Sequence, residues 1–374
     1  MLEALDFHAR TRVIFREGAV DALAEVVPAM GARRVLLVTD PGLEEAGHAQ
    51  RAMAVLERAG VTVALFDRVM ENPTDRCAEA GAEAARSFKP DALVAVGGGS
   101  AMDAAKGVGL LLANGGTVAQ FRGVGKVAAP LLPLVAVPTT AGTGSEVQSA
   151  ALITHAETRE KMVVWDRHLT PHAALLDPAL TVSMPPRVTA ATGIDALSHA
   201  IESFVSRKAN RLSRLFSREA FALLREGFPR VVALPGDVDA RGRMLLGAAL
   251  AGLAIEHSML GAAHACANPL THHCGITHGV AVGLLLPHVV RYNGRASGAA
   301  ALYDTLLAGG AEALAAEVEA LLASAGLPRQ LRTLDVREES LGALAAEAAG
   351  QWTASHNPVQ VGAAELLEIY RCAF

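Results

Sequence analysis

Aromatic residues are scarce in this chain, at 4 % of 374 residues, so any core must close on Ala, Val and Leu rather than on large rings. Cysteine is rarer still. Cys77, Cys266, Cys274 and Cys372 are irregularly spaced and form no Cys-x-x-Cys pair, which excludes a zinc ribbon and a dithiol redox couple and leaves free thiols as the expectation. Cys266 and Cys274 lie among histidines and read either as small buried packing residues or as ligands for a soft metal. Positive charge is not in excess: the formal net charge is −5, and no Lys/Arg run is interleaved with aromatics, so nucleic acid is excluded as a partner. Long apolar runs are missing too. The longest, residues 244–255 and 279–286, are too short or too broken to cross a bilayer. The acidic start of the chain lacks the basic-then-apolar pattern of a secretory signal. A soluble cytoplasmic protein with no membrane contact is expected.

What is present is organised in two parts. A length of 374 residues with 51 % hydrophobic content suggests two cores rather than one. Residues 1–184 alternate short β-branched runs with alanine-rich segments, which predicts an α/β domain built on a parallel sheet covered by helices. Strands are expected at 12–15, 35–39, 61–66, 92–96 and 134–137, and helices at 19–29, 43–59, 75–88 and 101–113. Short extended pieces follow at 150–154, 162–165 and 173–176. From Pro185-Pro186 onward the strand signal vanishes, and residues 185–374 read as an all-α domain with helices at 189–205, 211–226, 240–256, 280–292, 311–325 and 340–350. A cleft between the two halves is the expected place for a ligand. The first strand, at 12–15, begins the sheet and offers an edge to a second copy, so a homodimer is expected.

Three stretches of the first half carry chemistry. Residues 92–106 run from an apolar strand through Gly97, Gly98, Gly99 and Ser100 into a helix. Glycines there allow a phosphate to approach the backbone, and the helix start supplies free N–H groups; an ordinary strand-to-helix turn is the other reading. Residues 138–146, which include Thr139, Thr140, Thr143 and Ser145, also follow an apolar strand and add hydroxyls. Two such loops at the ends of adjacent strands favour a bound nucleotide. Asp40 ends the second strand, where a carboxylate can bind the ribose hydroxyls of NAD and repel the extra phosphate of NADP, or simply form an Asx turn.

The second half carries a different signal. The fifteen residues from His264 to His278 contain four histidines and two cysteines, and Asp195 and His199 stand four apart in a helical segment. That spacing aims a carboxylate and an imidazole the same way. Each histidine taken singly also reads as a satisfied core residue. Together, Asp195, His199, His264 and His278 make a ligand set of one carboxylate and three imidazoles, suited to Fe²⁺ or Zn²⁺ without distinguishing them.

These motifs, taken in order, resemble the iron-containing (group III) alcohol dehydrogenase family. The residues that carry the resemblance are Asp40, Glu71-Asn-Pro-Thr74, Gly97 to Ser100 with Asp103 and Lys106, Pro138 to Glu146, Asp177-Pro178, Gly193 to Glu202, and His264 with His278. The resemblance implies a Rossmann-like dinucleotide-binding α/β domain followed by a helical metal-binding domain, the architecture shared with dehydroquinate synthase. It implies metal ligation by Asp195, His199, His264 and His278. It implies cofactor contacts at Asp40, Asn72, Gly98, Gly99, Ser100, Asp103, Thr139, Thr140, Thr143 and Lys161, with the acid at position 40 matching members that prefer NAD.

One departure concerns the proton. Many members place a histidine four residues after the third ligand, where this chain has Asn268. Asparagine cannot take up a proton near neutral pH, so Asn268 and His272, with His273 beside it, are the candidates at that point, although a solvated loop histidine is the preferred reading of His272. The expected activity is hydride transfer between NAD(H) and a small alcohol or aldehyde. The alternatives on the same scaffold are a maleylacetate-reductase-like enzyme, an NAD-using metal-dependent lyase, and a non-catalytic nucleotide sensor.

Overall fold

The computed structural model describes residues 7–374. The chain forms two compact units. One spans His8–Met184; the other spans Pro185–Phe374, joined by Phe7, whose ring lies 4.6 Å from His257 and 5.9 Å from Phe216.

The first unit holds β1 (Arg12–Phe15), α1 (Leu23–Ala29), β2 (Arg34–Val38), α2 (Pro41–Glu45), α3 (His48–Arg58), β3 (Thr62–Phe66), α4 (Asp75–Phe88), β4 (Ala92–Gly97), α5 (Gly99–Asn114), β5 (Gly123–Val124), β6 (Leu134–Pro138), β7 (Ala150–Thr154), β8 (Lys161–Trp165) and β9 (Ala173–Leu176). Six strands build one sheet in the order β1-β9-β6-β4-β2-β3, every pair parallel. Strand β4 is buried at every residue, as a continuous apolar run between two covered faces requires. Alternate residues serve the two faces: Val35, Leu37, Val94 and Val96 pack with α1 and α3 side chains such as Val26 and Val55. Leu36, Val38, Leu93 and Ala95 pack with Met102, Ala105 and Val108 of α5.

One expectation needs correction here. The segment 43–59 is not one helix but two, because Gly47 adopts φ 80° between α2 and α3, a left-handed backbone that ends the first. The late extended pieces also divide. Strand β9 joins the main sheet between β1 and β6, whereas β7 and β8 form a separate sheet with β5, in the order β5-β8-β7. Strand β1 is left at an edge of the main sheet.

The second unit is helical throughout its described residues: α6 (Pro186–Val205), α7 (Arg211–Ala233), α8 (Val238–Glu256), α9 (Ala262–Cys274), α10 (His278–Asn293), α11 (Ser297–Leu306), α12 (Gly310–Ser324), α13 (Leu341–Ala349) and α14 (Ala363–Ala373). Helices α9, α11 and α14 exceed the expected set. The last two are short, and both are held by tertiary burial of a few residues, Tyr303 in α11 and Leu366, Ile369 and Tyr370 in α14, which weak local periodicity does not announce. No helix among the described residues is long and apolar enough to cross a membrane.

Helix α6 is the centre of this unit. It is buried on nearly all sides from Thr189 to Val205, and its glycine lets neighbours close on it: a Cβ on Gly193 would sit 2.7 Å from Phe228 and 2.8 Å from Met244. The same holds where α10 begins. A Cβ on Gly279 would lie 2.0 Å from the Ala191 carbonyl oxygen and 3.1 Å from the Asp195 Cβ, so a side chain there would push the start of α10, and His278 with it, away from α6.

Candidate functional site

In the α/β unit, parallel β2, β4 and β6 are neighbours, so the residues just past their carboxyl ends come together. Asp40 caps α2, accepting from the Leu43 N–H at 3.1 Å. Its other oxygen lies 3.7 Å from where a Gly97 Cβ would stand. Helix α5 starts at Gly99 with Gly98 as its cap and no side-chain hydrogen bond to its first turn, which leaves N–H groups and the positive end of the helix dipole for an anion. A Cβ on Gly98 would meet the Thr140 side chain at 3.1 Å, and one on Gly99 would meet Thr143 at 2.7 Å. The glycines therefore do more than expose backbone: they let the two loops pack against each other.

Other expected cofactor residues fall around these loops. Asn72 adopts φ 53°, a left-handed conformation that asparagine tolerates, and its N–H donates to Ser100 Oγ at 3.3 Å. The Thr139 N–H donates to the Gly97 carbonyl at 2.9 Å. Lys161 opens β8 opposite Thr154. Asp103 is turned into the protein: its Oδ1 accepts from Ser145 Oγ at 2.8 Å and its Oδ2 from the Leu152 N–H at 3.2 Å. Fully buried Lys106 donates to Ser145 Oγ and O and to the carbonyls of Gln148 and Ala150. This pair fixes the second loop and β7 onto α5. Glu146, buried at the end of that loop, has its carboxyl pushed up to about 7 by desolvation, against the pull of Lys106.

In the helical unit, Asp195 and His199 on α6 meet His264 on α9. One ligand atom from each lies within 4.8 Å of the others, and all three residues are buried. Asp195 Oδ1 stands 3.6 Å from His199 Nε2 and 3.5 Å from His264 Nε2, and the His199 and His264 rings stack at 4.9 Å. His278, the first residue of α10 and half-buried, lies beside this trio rather than within it, its ring 5.4 Å from that of His264. Burial alone would raise the Asp195 carboxyl; the imidazoles of His199, His264 and His278 instead hold it well below the usual carboxylate range. Burial would lower His264, but Asp195 and Glu202 raise it to about 9. The two shifts are one coupling, in which the carboxylates and the imidazoles stabilise each other's charged forms.

Two atoms test whether a metal fits. Asp195 Oδ1 and His264 Nε2 are buried and have no hydrogen-bond partner, an arrangement that costs free energy unless a cation is shared between them. A carboxylate and imidazole nitrogens are donors for Fe²⁺, so the residues present fit the ion.

The inner stretch of α9 separates from this cluster. Asn268 is half-buried and donates to Gln351 Oε1 at 3.1 Å. His272 and His273 are exposed, edge to face at 4.5 Å, and His273 pairs with Glu347 at 2.5 Å. Cys266 is buried and Cys274 exposed, and both are free. One residue of the site was not singled out in the sequence: Glu202, whose carboxylate contacts His264 Nδ1 at 2.6 Å. Its signal was its place on α6, seven residues after Asp195 and three after His199, on the same helical face.

A parallel sheet with glycine loops at its carboxyl edge, followed by a helical unit with a buried carboxylate–imidazole trio, defines a two-domain architecture of α/β plus all-α type. The model of iron-containing alcohol dehydrogenases matches residues 10–178, and that of the C-terminal domain of the Fe-containing alcohol dehydrogenase family matches residues 189–374. The chain is 35 % identical to a 1,3-propanediol dehydrogenase of Klebsiella pneumoniae, over 96 % of each chain. Among solved structures, a 1,3-propanediol oxidoreductase superposes with a TM-score of 0.95 at 34 % identity, covering 100 % of both chains. A sulfoacetaldehyde reductase from Bifidobacterium kashiwanohense, in complex with NAD+, superposes with a TM-score of 0.93 at 31 % identity, covering 99 % of both. The chain belongs to the iron-containing alcohol dehydrogenase family.

Proposed function

We propose that this protein is an NAD(H)-linked, iron-dependent alcohol dehydrogenase or aldehyde reductase acting on a small alcohol or aldehyde. The observation that carries the reading is the buried trio in which Asp195 Oδ1 and His264 Nε2 lack any hydrogen-bond partner. Asp195, His199 and His264 hold the metal, with His278 as the fourth ligand; Zn²⁺ suits the same donors. When bound, the ion supplies Lewis acidity toward the substrate oxygen and NAD(H) supplies or accepts the hydride. The residues do the placing. Gly98, Gly99 and Ser100 offer the start of α5 to the pyrophosphate, and Asp40 selects the unphosphorylated ribose. Thr139, Thr140, Thr143, Asn72 and Lys161 complete the cofactor contacts, while Asp103 and Lys106 brace the loop that carries the threonines. Asn268 holds hydrogen bonds but moves no proton.

The test is anaerobic reconstitution of metal-depleted protein with Fe²⁺ or Zn²⁺, assayed with an alcohol and aldehyde panel and with NAD and NADP. Turnover that depends on added metal and favours NAD supports the reading, and equal turnover without metal overturns it. The free cysteines fit a reducing compartment such as the cytoplasm. The open edge at β1, with Val13 and Phe15 exposed, supports a homodimer; gel filtration showing only monomer refutes it.

A further inference from the structure

His264 has two ring nitrogens, and only one faces the trio. Nε2 points toward Asp195 Oδ1 at 3.5 Å, while Nδ1 lies 2.6 Å from Glu202 Oε2. A carboxylate can only accept, and a neutral imidazole carries a single N–H. When the ring is neutral, as a metal ligand must be, the carboxylate contact at 2.6 Å draws its one proton to Nδ1, and Nε2 is left with a lone pair aimed at the trio.

The second oxygen of Glu202 is also used. Oε1 accepts the Ala263 N–H at 2.7 Å, and Asn357 Oδ1 accepts the Ala262 N–H at 3.2 Å. The first turn of α9 would otherwise lack such acceptors, because its cap is Gly261, which has no side chain to supply one. Asn357 cannot turn its amide over, since its Nδ2 donates to Asn293 Oδ1 at 2.7 Å and to the Val359 carbonyl at 2.8 Å. Position 261 admits only hydrogen: a Cβ there would stand 2.9 Å from Asn357 Oδ1 and 3.0 Å from Glu202 Oε1. Glu202 therefore holds both the backbone of the turn that bears His264 and the ring itself, and it is 4 % exposed, out of competition with solvent.

We propose that Glu202 is a positioning residue for the metal centre, which sets the tautomer and direction of His264 so that Nε2 is presented as a ligand, with Asn357 and Gly261 completing the cradle. The proposal rests on the reading of Asp195, His199 and His264 as metal ligands. A purely structural Glu202 would do no more than cap α9, and Glu202→Gln separates the two roles. Glutamine keeps the length and one oxygen for the Ala263 N–H, but it then sets an NH₂ against Nδ1. The ring must answer with a lone pair at Nδ1 and its proton on Nε2, the tautomer that cannot ligate.

The experiment is anaerobic titration of metal-depleted protein with Fe²⁺, and with Co²⁺ as an absorbing probe, alongside thermal unfolding, for wild type, Glu202→Gln, Gly261→Ala and His264→Ala. The expected result is one tight equivalent in wild type and affinity weakened about 10- to 100-fold in Glu202→Gln, with little change in its Tm. Gly261→Ala, whose Cβ displaces the same carboxylate, should weaken affinity too, and it decides the matter if Glu202→Gln does not fold. Wild-type affinity in both variants, or in Gly261→Ala when it alone folds, overturns the positioning role and leaves the metal site standing. Failure of wild type to bind, or unchanged binding by His264→Ala, overturns the metal site itself.

Discussion

The two units build their sites by opposite means. In the α/β unit most of the candidate cofactor residues sit at the turns just past the ends of β2, β4 and β6, and parallel pairing brings those ends side by side. In the helical unit the residues sit within helices, and their meeting depends on how α6, α9 and α10 pack; Glu202 and His264, 62 positions apart, touch at 2.6 Å. A loop site is written locally and tolerates adjustment of its surroundings. A site made by helix packing inherits the stiffness of a close-packed interior, so small steric changes far from the ligands should be felt there.

The sharpest test of this contrast is His264→Ala. Loss of a ligand from the packed trio should lower turnover on the order of 10³-fold, several kcal/mol of activation free energy, with metal content falling in parallel. Metal analysis beside steady-state kinetics checks it, and retention of metal with full activity would remove the helical site from the mechanism. Next is Gly279→Ala, which replaces no ligand but drives a Cβ to 2.0 Å from the Ala191 carbonyl oxygen and 3.1 Å from the Asp195 Cβ. A cost of about 3 kcal/mol in stability is expected, at the upper end for overpacking, together with weaker metal binding as His278 is displaced. Thermal unfolding with and without Fe²⁺ measures both, and a neutral outcome would show the helical site to be as pliable as the loops.

Smaller effects are expected in the α/β unit. Asp40→Ala should shift the ratio of kcat/KM for NAD over NADP by about tenfold toward NADP, or roughly 1.4 kcal/mol, with the fold retained because the loss is one cap. An unchanged ratio would take the ribose away from this residue. The last test is pH. Burial raises Glu146 to about 7 from an ordinary value of 4.5, so the folded state holds its proton more tightly than the unfolded chain. That contribution is fully present below the unfolded value and is lost as pH rises through about 7, with a slope of at most about 1.4 kcal/mol per pH unit. Glu146→Gln should flatten stability between pH 5 and 8 in denaturant titrations, and an unaltered pH dependence would dismiss the effect.

The same contrast explains what could be read in advance. Strands β2, β4 and β6, the glycine turn at 97–100 and the threonine loop were legible because each is a short local pattern of apolar run, glycine and hydroxyl. The break at Gly47 was not, since a lone glycine within an Ala- and Glu-rich segment is also tolerated inside a helix, and only the fold shows its left-handed backbone. Asp195 and His199 declared themselves by their spacing on α6, whereas Glu202 looked like one more polar residue near the helix end. Asp103 and Lys106 stood in the right motif, but only the folded chain shows them turned inward to hold Ser145 and β7.

The sequence by itself determined the two-part organisation, the family and the residue types able to bind a nucleotide and a metal, because periodicity, glycine turns and ligand spacing are properties of neighbours along the chain. Tertiary structure decided which of the four clustered histidines enter the trio, that Asp195 Oδ1 and His264 Nε2 face each other without a hydrogen-bond partner, and that Glu202 rather than a local cap holds the start of α9. Those outcomes depend on helix packing at glycines 193, 261 and 279, where a missing Cβ sets how closely one element approaches another, a distance that no local pattern of residues specifies.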